Sequence, residues 1–295
     1  MHSNISNDGE FAPSELMQMC RQNGLTSVAL SDHNSVRGIM EAQIAANRLG
    51  IEFISAIELD CQFDEVNLHV LGYGIDPQQV EFDQIEKDIL QKEQKASYYI
   101  IDCMHALGVF FEDEEVWNLS INGVVTGEMI AEAALTDERN QNSSLLAPYR
   151  KGGSRSDNPF VNFYWDFFSQ GKPADARFRY IALCEAIRII KEAGGLAVLA
   201  HPGINIGLDQ KLLTGIIYSG IDGIEVFSSY HDAASIAFFG DQADKFHLIK
   251  TMGSDFHGKI KPSITLGKMN CPEEAEIYQA FMKKLENSKT QKPKT

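Results

Sequence analysis

No uninterrupted apolar run of 18 residues occurs in this 295-residue sequence, so nothing in it predicts a membrane-spanning helix. No basic stretch followed by an apolar one opens the chain, which argues against secretion and predicts a cytoplasmic location. No Cys-x-x-Cys pair is present. Cys20, Cys61, Cys103, Cys184 and Cys271 are odd in number and widely spaced, and read as reduced buried thiols rather than a disulfide frame or zinc ribbon. Positive charge is scarce as well: 26 Lys and Arg against 41 Asp and Glu leave a net −15, which excludes an extended nucleic-acid surface. A small phosphorylated partner stays compatible if its site is locally positive, because part of the acidic surplus can be ligands neutralised by bound cations.

The 44% apolar content is enough to bury a full core, and predicts one large α/β domain with or without an insertion. Residues 24–30, 51–57, 68–74, 196–200, 221–227 and 248–252 read as short buried strands, apolar and bounded by Gly or polar residues. Helical spacing lies between them: from Pro13, over 38–49, 181–193, 209–219 and 273–286. The alternation predicts a mainly parallel sheet or barrel covered by helices. Between about residues 78 and 179 the strand signal fades, leaving helical patterns at 82–107 and 117–134 and a breaker-rich loop at 151–159. Some 100 residues without a strand are too many for an ordinary connection, which predicts a helical insertion or lid. The expected organisation is a barrel from 1–77 and 180–286, an insertion at 78–179 and a flexible tail at 287–295.

Six of the eight histidines stand in short segments that mostly follow an apolar run and close on Gly, Pro or Asn: His2, His33, His69, His201, His231 and His257. Ligands at the carboxyl ends of successive strands look like this, because such ends converge on one mouth of a barrel. Asp8, Glu58 and Asp255 accompany them. Glu58 ends an apolar strand, where a carboxylate is costly to bury unless paired or metal-bound. Asp255 and His257 reach the same face of an extended segment flanked by Gly253 and Gly258. Each residue alone has a plain structural explanation, and Asp32 could be a helix cap. Five polar clusters at five strand ends do not arise so easily by chance. His105 and His247 lack such context and read as structural.

The set Asp8-Gly9, Ser31-Asp32-His33, Ile57-Glu58, His69, His201-Pro202 and Gly253-Ser254-Asp255-Phe256-His257 resembles the PHP (polymerase and histidinol phosphatase) family of metal-dependent phosphoesterases. The likeness covers about residues 1–75 and 180–270, and is greatest to stand-alone members acting on nucleotides and short oligonucleotides. It implies a distorted seven-stranded β/α (TIM-like) barrel with a mainly helical insertion and up to three divalent ions, manganese, iron or zinc. By that resemblance Glu58 bridges two ions, His69 and His201 complete one, Asp8, His33 and His257 hold the third, and Asp255 with an amino-terminal histidine holds the first. The family usually opens with Asp-x-His-x-His and then Ser-x-Asp-Gly, whereas here Met1-His2 runs directly to Ser6-Asn7-Asp8-Gly9. His2 or Asn4 is then the match to the second histidine, and the expectation is either truncation upstream or a weakened first metal position.

The implied reaction is hydrolysis of a nucleotide-like or oligonucleotide phosphate ester by a metal-activated water. His231 is a candidate to contact phosphate or protonate the leaving oxygen, and Arg155 and Lys172 are candidates to clamp a second phosphate. Two rivals remain: an amidohydrolase-type C–N hydrolase, which would call for a metal-bridging lysine not evident in the sequence, and a metal-binding module with impaired catalysis.

Overall fold

The computed structural model describes residues 1–290. Its sheet has seven strands: β1 Ser27–Leu30, β2 Glu52–Phe63, β3 Val66–Tyr73, β4 Ile181–Ala182, β5 Leu196–Leu199, β6 Gly223–Ser228 and β7 Ile249–Gly253. They pair in the order β1-β2-β3-β5-β6-β7, with the two-residue β4 on the far half of β2. All six expected strands are present, and the sheet is a curled, distorted α/β half-barrel.

Among the described residues four of the six strand pairings are parallel, as the sequence predicts. The exception is β3, which runs antiparallel to both β2 and β5. The cause is local: only Asp64 and Glu65 separate β2 from β3, and Asp64 adopts a left-handed φ of 52°. Two residues make a hairpin and cannot make a parallel crossover. The hairpin sets Asp60 opposite His69. Period-two alternation then turns Ile57, Leu59 and Cys61, all fully buried, into the apolar core, and Glu58 and Asp60 to the opposite face.

Helices α1 Pro13–Gln22 and α2 Ile39–Leu49 pack beside β1 and β2. The long α3 Val80–Ala106 places Phe82, Ile85 and Ile89 on the sheet core, while its second half joins a separate apolar cluster with α4 Asp113–Leu119, α5 Gly127–Thr136 and α6 Pro159–Phe167. Residues 117–134 do not form one helix: Asn122 and Gly123 take left-handed conformations, and Thr126 caps a new helix by accepting the N–H of Met129. Beyond β4 come α7 Leu183–Glu192, α8 Pro202–Asn205, α9 Gln210–Tyr218, α10 Ala233–Lys245 and α11 Glu274–Thr290. Residues 287–290, expected in a tail, finish α11; residues 291–295 of that expected tail lie outside the described residues.

Among the described residues β1 and β7 do not pair with each other. Met1 and His2 span them at the carboxyl end, the Met1 carbonyl accepting from Ser31 N–H (3.1 Å) and His2 N–H donating to the Phe256 carbonyl (2.9 Å). Below this bridge lies a largely apolar cavity of about 480 Å³, walled on its far side by α11. No described helix is long and apolar enough to cross a membrane.

Candidate active site

The interiors of β2 and β3 deliver Glu58 and His69, the segments just past β1, β5 and β7 deliver His33, His201, Asp255 and His257, and the amino-terminal segment delivers His2 and Asp8, all to one hollow. Glu58 is buried, and its two oxygens face different partners. Oε1 lies 2.7 Å from His69 Nδ1 and 3.0 Å from His201 Nε2; Oε2 lies 3.1 Å from His2 Nε2. His2 Nε2 is also 3.1 Å from Asp255 Oδ1. On the other side of the His2 ring, which stacks on His257 at 4.1 Å, His257 Nε2 stands 3.2 Å from Asp8 and His33 Nε2 stands 3.9 Å from the same oxygen. Three overlapping groups result: His2, Asp8, His33 and His257; His33, Glu58 and His69; and His2, Glu58 and Asp255. Within each, the nearest ligand-type atoms lie within 4.8 Å of one another, close enough to share an ion.

The loop from Ser3 to Gly9 is drawn tight by Asp32, whose carboxylate accepts from Ser3 N–H (2.6 Å), Ser3 Oγ (2.8 Å) and Ser6 Oγ (3.2 Å). Asp32 is therefore neither helix cap nor ligand; it anchors the segment that presents His2 and Asp8. Gly9 is needed there, since a Cβ would fall 1.8 Å from the Ser3 carbonyl oxygen. Of the two residues that competed for the second-histidine position, His2 is buried against Glu58 and Asp255, whereas Asn4 is exposed.

Two tautomers are fixed by neighbours. His257 Nδ1 lies 2.8 Å from the Asp255 carbonyl, and His201 Nδ1 lies 3.1 Å from Asn205 Oδ1. Both contacts place a proton on Nδ1 and turn Nε2 toward the hollow, the arrangement of an oriented metal ligand once any proton on Nε2 is displaced. His201 (φ 24°) and Asp255 (φ 52°) hold left-handed backbone conformations, strain of the sort that collects at functional sites. Asp255 Oδ2 receives Lys261 Nζ (2.6 Å) and Tyr230 Oη (2.5 Å), which leaves Oδ1 turned to His2.

Charge follows this geometry. Burial alone would raise the Glu58 carboxyl, but the imidazoles of His2 and His201 close beside it hold it well below the usual range. Burial would depress His201, yet the adjoining Glu58 raises it to about 9. His257 is pushed down to about 4 by burial and by the Lys261 charge. Burial, with nearby acids, lifts Glu93 to about 8 and Glu128 to about 7. Among the described residues, five buried atoms round the hollow find no hydrogen-bond partner: His2 Nε2, Asp8 Oδ1, His33 Nδ1, Asp60 Oδ1 and His257 Nε2. Orphaned buried donors and acceptors are rare and need an explanation. All five are metal-ligand atom types, so the residues fit divalent cations.

The PHP domain model matches residues 1–152, just over half of the 295. The chain belongs to the PHP domain family. Within it, the chain is 28% identical over 262 residues to a phosphoribosyl 1,2-cyclic phosphate 1,2-diphosphodiesterase of Eggerthella lenta, covering 88% of this chain and 93% of that protein. It is 27% identical over 265 residues to a 3',5'-nucleoside bisphosphate phosphatase of Chromobacterium violaceum, covering 87% and 85%. A solved Chromobacterium violaceum structure, described as an amidohydrolase with bound sulfate and no metal, superposes with a TM-score of 0.76 at 24% identity, over 97% of this chain and 94% of that one. That likeness speaks to the fold.

Three expected site residues are not brought to the PHP hollow. Both ring nitrogens of His231 are engaged elsewhere: Nδ1 with the Val226 carbonyl (2.9 Å), and Nε2 accepting from Gly203 N–H (3.0 Å). It ties the end of β6 to α8. Arg155 is held in a two-pronged pair by Asp166 (2.7 and 3.0 Å), and Lys172 is exposed; neither lines the hollow. A lysine not anticipated in the sequence does reach it, but Lys261 is buried against Asp255 and kept charged by that carboxylate, so its nitrogen has no free pair with which to bridge metals.

Asp60 was missed. Its Oδ1 lies 3.2 Å from His69 Nε2 and 3.5 Å from His33 Nδ1, and its Oδ2 accepts from Asn34 (2.8 Å). Its signal was the two-residue spacing from Glu58, which puts both acids on one face of a strand. Glu225, buried and accepting the His201 N–H at 2.9 Å, was also missed; a Cβ on Gly253 would fall 2.0 Å from it, which explains that glycine.

Proposed function

We propose that this PHP chain is a metal-dependent phosphoesterase that hydrolyses a phosphate ester of a nucleotide-like or short oligonucleotide substrate. The observation that carries the reading is Glu58, a buried carboxylate offering one oxygen to His69 and His201 and the other to His2 beside Asp255. Up to three ions are proposed. Glu58, His2 and Asp255 would hold one; Glu58, His69 and His201 a second; Asp8, His33 and His257 a third, with Asp60 supporting the last two. The donors mix imidazole with carboxylate and include no thiolate, which suits manganese, iron or zinc better than calcium. When bound, such ions supply a water ionised near neutral pH and positive charge for the phosphoryl oxygens.

The chain's own contribution is to hold the donors. Asn205 and the Asp255 carbonyl fix the imidazole tautomers, and Lys261 with Tyr230 orients Asp255. Residues 78–179 are proposed to be an insertion on a barrel formed by 1–77 and 180–286, acting as a wall or lid over the hollow; Glu93, Thr126 and Trp165 from it face the ligand cluster. The relatives' names, a cyclic-phosphate diphosphodiesterase and a bisphosphate phosphatase, support phosphate-ester chemistry. The locked Lys261–Asp255 pair weighs against C–N hydrolysis through a lysine bridge. The test is metal analysis of the purified protein beside turnover of an aryl phosphate with chelator and with restored Mn²⁺. Two or more ions per chain with metal-dependent turnover are expected; less than one ion and no turnover would end the reading.

A further inference from the structure

Among the described residues two basic side chains line the hollow of about 200 Å³, and they are placed differently. Arg37 is half-exposed and meets Glu86 through Nε. Lys261 is buried, with Nζ 2.6 Å from Asp255 Oδ2. The backbone that carries Lys261 is fixed on both sides. A single 3₁₀ turn over Gly258–Ile260 closes with Lys261 N–H on the Gly258 carbonyl (3.1 Å). Pro262 follows, and Asn158, just ahead of α6, grips Ser263 with both ends of its amide, accepting Ser263 N–H at 2.9 Å and donating to Ser263 Oγ at 2.7 Å. A charge anchored in this way is held ready before any substrate arrives, which is what stabilisation of a charged reacting centre requires.

An ammonium has three N–H donors. Among the described residues Asp255 Oδ2 takes one, and Tyr230 Oη, which donates to the same oxygen at 2.5 Å, can accept at most one more. At least one N–H is left on a side chain that lines the hollow. Its charge is felt by Asp8 on the ligand side and by Glu128 of α5 on the other. Charge balance gives that donor a purpose. The ligand-type carboxylates Asp8, Glu58, Asp60 and Asp255 together carry no more charge than two divalent ions neutralise. With ions bound, Lys261 is surplus positive charge, and a buried cation beside cation sites is unfavourable unless an anion shares the hollow. A phosphate ester is such an anion. We infer that Lys261 is a catalytic residue, whose free ammonium N–H donates to a non-bridging oxygen of the reacting phosphate while the same nitrogen holds Asp255. The inference rests on the phosphoesterase reading and gives it a side chain that touches the substrate.

The test separates phosphate affinity from metal affinity. Parent, Lys261→Met, Lys261→Arg and Tyr230→Phe are held at saturating Mn²⁺, and inorganic phosphate binding is measured by equilibrium dialysis, beside Mn²⁺ affinity by chelator competition and kcat/KM for an aryl phosphate. Tyr230→Phe removes the other partner of Asp255 Oδ2, so it reports what disturbing that carboxylate does by itself. Lys261→Met is expected to weaken phosphate binding about 10- to 100-fold more than Tyr230→Phe does, as losing one hydrogen bond to a charged group would, with kcat/KM falling at least as far. Lys261→Arg keeps the charge and should recover most of the phosphate affinity. If the methionine variant fails to fold, Lys261→Gln replaces it, with a loss of about tenfold expected, since a neutral amide can still donate to Asp255. Equal phosphate affinities in the neutral Lys261 variant and Tyr230→Phe, or a loss confined to Mn²⁺ affinity, would overturn the inference and leave Lys261 a positioning residue for Asp255, while turnover of the aryl phosphate by the parent keeps the phosphoesterase reading. A parent that neither binds Mn²⁺ nor turns over the ester defeats both.

Discussion

Replacing Glu58 by glutamine should destabilise the metal-free protein in a way that depends on pH. His201 is 6% exposed, and its pKa rises from 6.5 to about 9, first against the effect of burial and then chiefly through the hydrogen bond and charge of Glu58. At about 1.4 kcal/mol per unit, that shift corresponds to roughly 3 kcal/mol of stability. A raised pKa means the folded state binds the proton more tightly than the unfolded one. The contribution is therefore complete below 6.5 and is lost as pH rises through about 9. Asp255 and Glu225 supply part of the shift, so Glu58→Gln should cost roughly 2 to 3 kcal/mol at about pH 6 and little at about pH 9.5. The assay is urea unfolding of chelator-treated parent and variant at both pH values. Metal-loaded, the same variant should lose kcat/KM by about 100-fold or more, since effects of 10–100-fold already follow from losing a partner of a ligand. Equal losses of stability at the two pH values, or none, would refute the assignment of Glu58 as the partner that holds His201 charged.

Asp60→Asn keeps the shape and removes the charge, and should weaken metal binding by about 10–100-fold in a chelator competition titration while the fold persists. Metal binding should release protons, because the buried carboxylates are balanced by imidazolium in its absence; calorimetry in buffers of different ionisation enthalpy should show the release, with affinity falling as pH drops below about 9. His231→Gln, which loses the Val226 and Gly203 contacts, should lower stability by about 1–3 kcal/mol yet leave metal content and the pH profile of turnover unchanged; an altered profile would restore His231 to the chemistry.

Much of the site was legible because strand ends announce themselves. An apolar run that stops on a histidine or acid, then Gly or Pro, marks both the element and the direction its last side chain takes, and His33, His201 and Asp255 were found that way; Glu58 and His69 stood out as polar residues in apolar segments and lie inside β2 and β3. Asp60 obeyed the same alternation but lay past the expected end of its strand, since β2 continues to Phe63 and folds back through Asp64 and Glu65. Lys261 and Glu225 gave less warning. The first belongs to an irregular loop beyond β7, and the second is an acid inside an apolar strand whose partner is a backbone N–H. His231 misled because it shares the outward form of a ligand segment. Its ring turns back on Val226 and Gly203, a choice made by packing between β6 and α8.

The sequence alone determined the alternation of strands and helices, the strandless stretch from 78 to 179, and a ligand inventory of imidazole and carboxylate, because these follow from periodicity and side-chain chemistry. Tertiary structure decided which oxygen of Glu58 faces which histidine, that Lys261 is locked on Asp255, and that Arg155 belongs to Asp166 instead of a substrate. Such pairings depend on ångström-scale distances between residues remote in the chain, and no local pattern encodes them.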